Sequence, residues 1–511
     1  MSDVAPPPQL GRQVAIASLF MIGLRFAFRG IGFISTLVLV RLLDPADFGL
    51  VGLATAVFAM FDTLTEMSMQ MALIRLPEMD RAHMDTAWTL GILRGVIIGA
   101  ALAASAGLAA DWMQDSRVTP IVLVLAAMAV VQGFENIGTT YFRRDLDFGM
   151  VFRYRLAGRL IAFAVTVGGA IAFRSYWALV AGIVGSRLFM VAYSYVIQPY
   201  RPRISFAALH ELLHFSKWFL ATNVLGAIEA YTATMLFGRI GGATAVGLYQ
   251  ISWQVGSLPI GEIAAPIREP LYSGYAKLLG SLSAIRAHFV EGLALVLLVV
   301  APMSVGLGVT ADLVWPIVLG AKWAASSPLI GLCAWYALFD SIGHFTHGIY
   351  IVLNRQRRLV LTYAPIIVVR FGAAIVIGLH WGVVAAVWSL TVTAALSMII
   401  WVGCVLPILQ LRLRDLLEPI WRTVVSCGVM AGVLLEWLPL TSDGAPLRVV
   451  GTRLAIAIGV GAASQIATQV ALWMVCGMPA GPEHRVVQIA AGLWRRAVAM
   501  PLATRRWLQV R

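Results

Sequence analysis

The stretch Arg41-Leu-Leu-Asp-Pro-Ala-Asp-Phe-Gly-Leu50 follows the first long apolar segment of the chain. A related stretch, Arg239-Ile-Gly-Gly-Ala-Thr-Ala-Val-Gly-Leu248, follows a later apolar segment and begins 198 residues further on. In both stretches the same number of residues separates the arginine from the glycine-leucine pair. Self-similarity at a fixed offset is the signature of a repeat, so the two stretches indicate a chain with two related halves.

A second pair of motifs supports the repeat. Arg81-Ala-His83 and Arg286-Ala-His288 lie 205 residues apart, each just before the third apolar segment of its half. Each half has six such segments, and an even number of membrane crossings preserves orientation. The halves are therefore predicted to be parallel repeats about an axis along the membrane normal, with substrate between them. Two further apolar segments follow the repeat.

The composition fixes the class of protein. Apolar residues make up 60% of the 511 residues and charged residues only 12%, whereas globular domains carry about 25% charged residues. A set of water-soluble domains is therefore excluded. The net charge of +13 is attributed to basic cytoplasmic loops, not to binding of nucleic acid.

Membrane-spanning helices need about 20 apolar residues, and fourteen windows of this kind are found. We predict an all-α polytopic membrane protein with about 14 transmembrane helices, in two parallel six-helix lobes plus two extra helices. The windows lie near residues 14–40, 48–70, 86–110, 120–140, 154–173, 176–198, 215–237, 246–270, 288–309, 328–351, 359–379, 381–405, 420–438 and 449–477.

Basic residues define the predicted orientation. They are concentrated in the even-numbered connections, for example at Arg143, Arg144, Arg201 and Arg203, and in the C-terminal tail. The positive-inside rule places these connections and both termini in the cytoplasm. The predicted organisation is a cytoplasmic N-terminal tail (1–13), an N-terminal lobe (14–200), a C-terminal lobe (212–408), two additional helices (420–478) and a basic cytoplasmic tail (479–511).

Arginines inside the predicted spans are the candidate substrate-binding residues. A charge near mid-bilayer costs about 2.5–3.5 kcal/mol on insertion scales and usually marks a pathway. Arg25 lies about 17 Å along the first helix, and Arg29 follows one turn later on the same face. Guanidinium groups match the paired oxygens of phosphates and carboxylates. The predicted substrate-binding residues are Arg25, Arg29, Arg94, Arg187 and Arg370.

Two intramembrane acids are the candidate ion-coupling residues. Glu229 and Asp340 lie near the middle of the seventh and tenth windows, and a carboxylate in apolar surroundings tends to take up a proton unless a cation pairs with it. The alternative is that intramembrane charges pair permanently and join neighbouring helices. In that interpretation Arg25 and Arg29 bind Asp62 and Glu66 of the second helix.

Other motifs limit the chemistry. Pro259, Pro266 and Pro270 interrupt the eighth window and predict a kinked or broken helix that could bend during transport. The four cysteines show no metal-ligand or disulfide spacing, and no nucleophile elbow, Walker loop or HExxH motif occurs. We therefore predict no catalytic residues, no metal and no cofactor, and a protein that is not an enzyme.

Four short motifs occur in order over roughly residues 10–410. They are Val40–Leu50 after the first window, Phe142–Phe148 after the fourth, Gly247–Gln250 in the eighth and Leu319–Trp323 before the tenth. In these motifs the chain resembles the Wzx-type O-antigen and exopolysaccharide flippases of lipopolysaccharide biosynthesis, in the multidrug/oligosaccharidyl-lipid/polysaccharide exporter superfamily. It departs from them in Leu64-Thr-Glu-Met-Ser-Met-Gln70, where the family often has a glycine-containing stretch.

The resemblance implies a twelve-helix, two-lobed core, sometimes with two more helices. It implies translocation of undecaprenyl-diphosphate-linked oligosaccharide, or a related polysaccharide precursor, across the bacterial inner membrane. The expected partners are lipid-linked oligosaccharide, membrane lipid and other polysaccharide-assembly proteins. A drug or solute exporter of the same superfamily is the alternative. A membrane glycosyltransferase or polymerase is less favoured, because the predicted outer loops are short.

Overall fold

A computed structural model describes most of the chain. It covers residues 27–65, 80–145, 147–209, 217–264, 280–442, 444–479 and 481–488, and the single positions 23, 73, 271, 274, 275 and 278. Two features of the sequence analysis lie outside these residues, namely Arg25 and most of the basic C-terminal tail.

The described residues form long helices and no strands. Fourteen of these helices, α1 to α14, correspond to the fourteen predicted windows. Their bounds are 27–42 for α1, Pro45–Leu64 for α2, Arg81–Met113 for α3, Val118–Gln132 for α4, Phe148–Phe173 for α5, Trp177–Ile197 for α6, 217–240 for α7, 243–256 for α8, Leu282–Val318 for α9, Ser327–Val352 for α10, 356–381 for α11, 383–408 for α12, Trp421–Trp437 for α13 and Leu447–Val475 for α14.

Seven helical stretches in the described part of the chain are long and apolar enough to cross a membrane. The chain is therefore an all-α polytopic membrane protein, as the composition predicted. The seven stretches are Pro45–Leu64, Arg81–Met113, Gly149–Phe173, Trp177–Ile197, Leu282–Val318, Gln356–Ile408 and Leu447–Val475.

The two repeated stretches form their interhelical turns with different residue types. Between α1 and α2, Asp44 caps the new helix, Pro45 occupies its first turn, and the backbone N–H of Asp44 donates to the Asp47 carboxylate at 3.1 Å. A proline is favoured there because its missing N–H would have no helical partner. Between α7 and α8 the turn is made by Gly241 and Gly242. Gly242 has a φ of +64°, a conformation that glycine adopts without a steric penalty.

The two repeated stretches contact each other where α2 crosses α8. A methyl group at Gly49 would lie 1.6 Å from the carbonyl oxygen of Ala243, and one at Gly247 would lie 1.8 Å from that of Pro45. Gly49 and Gly247 hold the same position in the two stretches, and so do Pro45 and Ala243. The contact is therefore reciprocal, as expected for two related halves that meet across a two-fold axis.

Further contacts join the halves at the end of the molecule that carries the α1–α2 connection, which is the predicted outer end. The guanidinium of Arg41 donates to the carbonyl of Ile317 at 2.7 Å. The buried indole of Trp323 donates to the carbonyl of Val40 at 2.9 Å. Lys322 pairs with Asp44 at 2.8 Å. These contacts join the two halves at this end.

Helices α13 and α14 pack against each other and against α9. A buried polar network joins them to the segment that follows α14. Arg422 of α13 binds Glu483 at 2.7 Å, and Gln469 of α14 donates to the same carboxylate at 2.9 Å. Residues after α14 are thereby attached to the start of α13.

The first prediction concerns orientation. Ser116, between α3 and α4, and Ala207, between α6 and α7, are both exposed. On the predicted topology, a cysteine at Ser116 should react in intact cells with an impermeant thiol reagent, and a cysteine at Ala207 should react only after permeabilisation. The reverse pattern would overturn the assigned orientation.

The second prediction concerns the α2–α8 crossing. Alanine usually stabilises a helix by about 0.5–1 kcal/mol relative to glycine, but at Gly49 the added methyl group meets backbone that cannot rotate away. Overpacking of this kind costs about 1–3 kcal/mol. Gly49→Ala and Gly247→Ala should therefore lower the thermal stability of the purified protein.

Gly107→Ala is the matched control. Gly107 is an exposed residue within α3, and nothing lies within 4 Å of an added methyl group. This variant should be as stable as the parent or slightly more stable. Equal behaviour of all three variants would contradict a tight crossing.

Candidate transport site

A cavity of about 620 Å³ lies in the first half of the molecule. Its walls come from α1, α5, α6 and the connection between α4 and α5, and Gln254 of α8 completes it from the second half. Three guanidinium groups and one carboxylate line this cavity, which we call the N-half cavity. The ionisable groups are Arg155, Arg159, Arg187 and Glu135.

The arginines of the N-half cavity are positioned by α5 and α6. Asp147 caps α5 by accepting the backbone N–H of Met150 at 3.0 Å. Arg155 and Arg159 are one turn apart on α5 and therefore share a face. The Arg159 guanidinium lies 5.9 Å from the ring centre of Phe28 on α1. It also fills the space over Gly32, where a methyl group would approach its nitrogen to 2.6 Å.

The charge of the N-half cavity is positive. None of the ion pairs found in the described residues includes Arg155, Arg159 or Arg187. Glu135 instead accepts a hydrogen bond from the hydroxyl of Tyr154 at 2.7 Å. Three guanidinium groups against one carboxylate leave two positive charges, so the cavity favours an anion.

Of the predicted substrate-binding arginines, Arg187 lines this cavity. Arg29 of α1 forms an ion pair with Glu262. Arg94 of α3 pairs with Asp62 of α2 at 2.7 Å and also donates to the Asp62 carbonyl at 2.6 Å. The described partner of Arg29 is thus Glu262 and not Asp62, whose carboxylate binds Arg94 of α3. Arg25 and Glu66 lie outside the described residues.

Sequence reasoning missed Arg155 and Arg159 as site residues. Both arginines lie at the start of the predicted window 154–173 and were counted with the basic residues of the cytoplasmic connection before it. Helix α5 begins earlier, at Phe148, which places Arg159 about 17 Å along it. The separation of one helical turn was the signal that could have identified them.

A second polar centre lies between α7, α10 and α11, with a buried arginine at its middle and part-buried partners around it. Arg370, which is 2% exposed, binds Glu229 at 2.5 Å and Asp340 at 2.8 Å. His344 lies 3.1 Å from each of the same two carboxylates. Tyr363 donates its hydroxyl to Glu229. We call Glu229, Asp340, His344, Arg370 and Tyr363 the C-half cluster.

The C-half cluster brings together three residues predicted on separate grounds. Glu229 and Asp340 were predicted to couple transport to an ion, and Arg370 was predicted to bind substrate. Two carboxylates and one guanidinium carry one net negative charge, which a proton on the His344 imidazole or a monovalent cation would neutralise. Ligand atoms of Glu229, Asp340 and His344 lie within 4.8 Å of one another, so these are the described residues that could hold such an ion.

Helix α8 is interrupted where the prolines predicted. It ends at Gly256, and a single π-helical turn, Ile260–Ala264, follows Pro259. This turn carries Glu262, the partner of Arg29. Pro266 and Pro270 lie outside the described residues.

The helical architecture and the two polar centres, one in each half, define the class as a two-lobed integral membrane protein. The polysaccharide biosynthesis protein family matches residues 38–328, more than half of the chain. The chain belongs to this family.

Two curated relatives are similar over much of the sequence. The lipopolysaccharide biosynthesis protein WzxC of Escherichia coli (strain K12) is 24% identical over 338 residues, which cover 65% of this chain and 66% of that protein. The teichuronic acid biosynthesis protein TuaB of Bacillus subtilis (strain 168) is 20% identical over 405 residues, which cover 78% of this chain and 83% of that protein. The chain thus spans just under two thirds of the length of WzxC.

A solved structure shows the same fold. The lipid II flippase MurJ in an inward closed conformation superposes with a TM-score of 0.67, covering 90% of this chain and 99% of that one at 13% identity. At this identity the likeness shows the architecture alone.

The third prediction concerns the C-half cluster. Glu229→Gln or Asp340→Asn removes the net negative charge that would attract the coupling ion, so transport in proteoliposomes should lose its dependence on an imposed ion gradient. Glu436→Gln is the control, because Glu436 is an exposed carboxylate on α13. If both cluster variants respond to the gradient as the parent does, ion coupling does not occur at these residues.

Proposed function

We propose that this protein translocates undecaprenyl-diphosphate-linked oligosaccharide, or a related polysaccharide precursor, from the cytoplasmic to the outer leaflet of the bacterial inner membrane. Cell-surface polysaccharide synthesis would use the translocated precursor. Membership in the polysaccharide biosynthesis family supports the proposal. The observation that carries it is the N-half cavity, with Arg155, Arg159 and Arg187 against a single carboxylate.

The charge of the cavity suits the proposed cargo. A diphosphate or acidic sugar offers paired oxygens to which guanidinium groups donate two hydrogen bonds at once. The sugar head group cannot cross hydrocarbon unaided, whereas the lipid chain can stay in the bilayer. A cavity with two excess positive charges would repel the lipophilic cations that many drug exporters carry.

Alternating access is the proposed mechanism. The two halves, 14–200 and 212–408, would rock about the α2–α8 crossing while the head group is held between them. Contacts at the predicted outer end, such as Arg41 with Ile317 and Lys322 with Asp44, would hold that end closed while the cavity loads from the cytoplasm. Both termini would lie in the cytoplasm.

Two further roles are proposed for the other arginines. Arg29 and the undescribed Arg25 would contact the anionic head group as it enters beside α1. Arg370 would instead hold Glu229 and Asp340 in place within the ion-coupling centre, because its guanidinium already binds both carboxylates. Assembly proteins that supply or polymerise the precursor are the expected partners.

Deletion of the gene tests the function directly. Lipid-linked oligosaccharide should accumulate in the cytoplasmic leaflet, as detected with a leaflet-specific probe, and the parental gene should restore its outward movement. Uptake or export of lipophilic cations without any change in the lipid-linked precursor would contradict the proposal.

The fourth prediction tests the cavity residue by residue. Arg155→Gln, Arg159→Gln and Arg187→Gln should each lower translocation at least tenfold, because loss of one charge-assisted contact costs about 1.5–3 kcal/mol. The lysine variants keep the charge but lose the forked donors, so they should be intermediate. Arg174→Gln, in the exposed α5–α6 connection, should match the parent. Equal transport by glutamine variants at normal protein levels would exclude the cavity as the binding site.

A further inference from the structure

One ion pair joins the two halves away from the predicted outer end. Arg29 on α1 contacts Glu262 on the π-helical turn after α8. A hydrogen bond between the same two regions, from the Gln254 amide to the Thr36 hydroxyl, measures 3.1 Å. Thr36 and Gln254 both line the N-half cavity. The Arg29–Glu262 ion pair therefore belongs to the contact between α1 and the α8 region that encloses the candidate substrate site, which we call the seam.

The backbone around Glu262 is adapted to this contact. Single π-helical turns are uncommon and occur frequently at functional sites. Glycine at position 261 lets the arginine approach the turn, since a methyl group there would lie 3.1 Å from the guanidinium nitrogen. The preceding Pro259 cannot donate a backbone hydrogen bond to the helix, so this turn can move without breaking a regular helical ladder.

Exposure separates this pair from the buried arginine pairs of the structure. The side chains of Arg29 and Glu262 are 49% and 35% exposed, whereas those of Arg422 and Glu483 are 4% and 7% exposed. A partly exposed ion pair contributes little net stability, and a competing anion can reach the half-exposed Arg29 side chain. A buried pair such as Arg422–Glu483 is closed to exchange.

We propose that Glu262 is an exchangeable counter-ion of Arg29, which a phosphate group of the lipid-linked substrate replaces. The inference rests on the proposed function and adds to it a link between binding and movement. A diphosphate carries more charge than a carboxylate and can bind the guanidinium through two oxygens. Once displaced, Glu262 repels the bound anion, so α8 separates from α1. The empty protein keeps the seam closed, and the anionic cargo opens it.

Cross-linking between α1 and α8 tests the proposal. Thr36→Cys and Gln254→Cys are introduced into the full chain lacking its four native cysteines, in lipid nanodiscs, with undecaprenyl diphosphate as the probe. We expect efficient cross-linking in the empty protein and severalfold less with the probe bound. In Glu262→Gln the cross-link should be weak with or without the probe, and the probe should bind about fivefold or more tightly.

The matched control is Glu291→Gln. Glu291 is also 35% exposed and pairs with an arginine, Arg485, but on α9 and away from the seam. This variant should behave as the parent does. Exchange of the charges, Arg29→Glu with Glu262→Arg, keeps the pair and should restore cross-linking in the empty protein, which shows that the weak cross-link of Glu262→Gln reflects the lost pair and not misfolding.

The outcomes separate this inference from the proposed function. If Glu262→Gln cross-links and binds the probe as the parent does, or if bound probe leaves the parental cross-link unchanged, the counter-ion role is wrong while transport of a diphosphate lipid still stands. If the charge-exchanged protein accumulates normally but does not cross-link, the pair does not hold the seam. If the parent neither binds undecaprenyl diphosphate nor moves lipid-linked oligosaccharide, the proposed function itself fails, and the counter-ion role fails with it.

Discussion

The backbone-to-backbone crossing of α2 and α8 is the contact on which the rest of the structure depends. Gly49 of one half faces Ala243 of the other, and Gly247 faces Pro45, at distances that leave no room for a side chain. In a membrane the helices gain little from hiding apolar surface, so close packing of small residues is a main source of association. This crossing brings the two halves together, and the α1–α2 connection then reaches the loop after α9. The polar centres lie in the two halves that it joins.

The intramembrane arginines differ in how their charge is satisfied, and the difference suggests their roles. Arg370 and Arg422 are buried with carboxylates already bound, and removing one partner from such a pair leaves a costly unpaired charge. Arg29 and Arg94 have carboxylate partners but stay partly exposed. Arg155, Arg159 and Arg187 line a cavity without an ion pair in the described residues. The guanidinium groups of this last group therefore have donors available for a ligand.

Much of the fold could be predicted from the sequence, because membrane helices are apolar segments of defined length and the repeat is visible at Arg41–Leu50 and Arg239–Leu248. The breaks in the helical backbone near Gly242 and Gly382 also fall at the predicted boundaries between neighbouring windows. The site was less predictable. Hydropathy places a helix end only approximately, which hid Arg155 and Arg159. The partner of Asp62 depends on which neighbouring helix packs against α2, and no local pattern encodes that choice.

The central claim is that the cationic N-half cavity selects an anionic lipid head group. It is tested most directly in proteoliposomes containing the purified protein, by comparing leaflet-to-leaflet movement of two lipids with the same polyprenyl chain and sugar. One lipid joins them through a diphosphate and the other through an uncharged ether. The account predicts rapid protein-dependent movement of the diphosphate lipid and little movement of the ether. Equal rates for the two lipids, or faster movement of the ether, would contradict it.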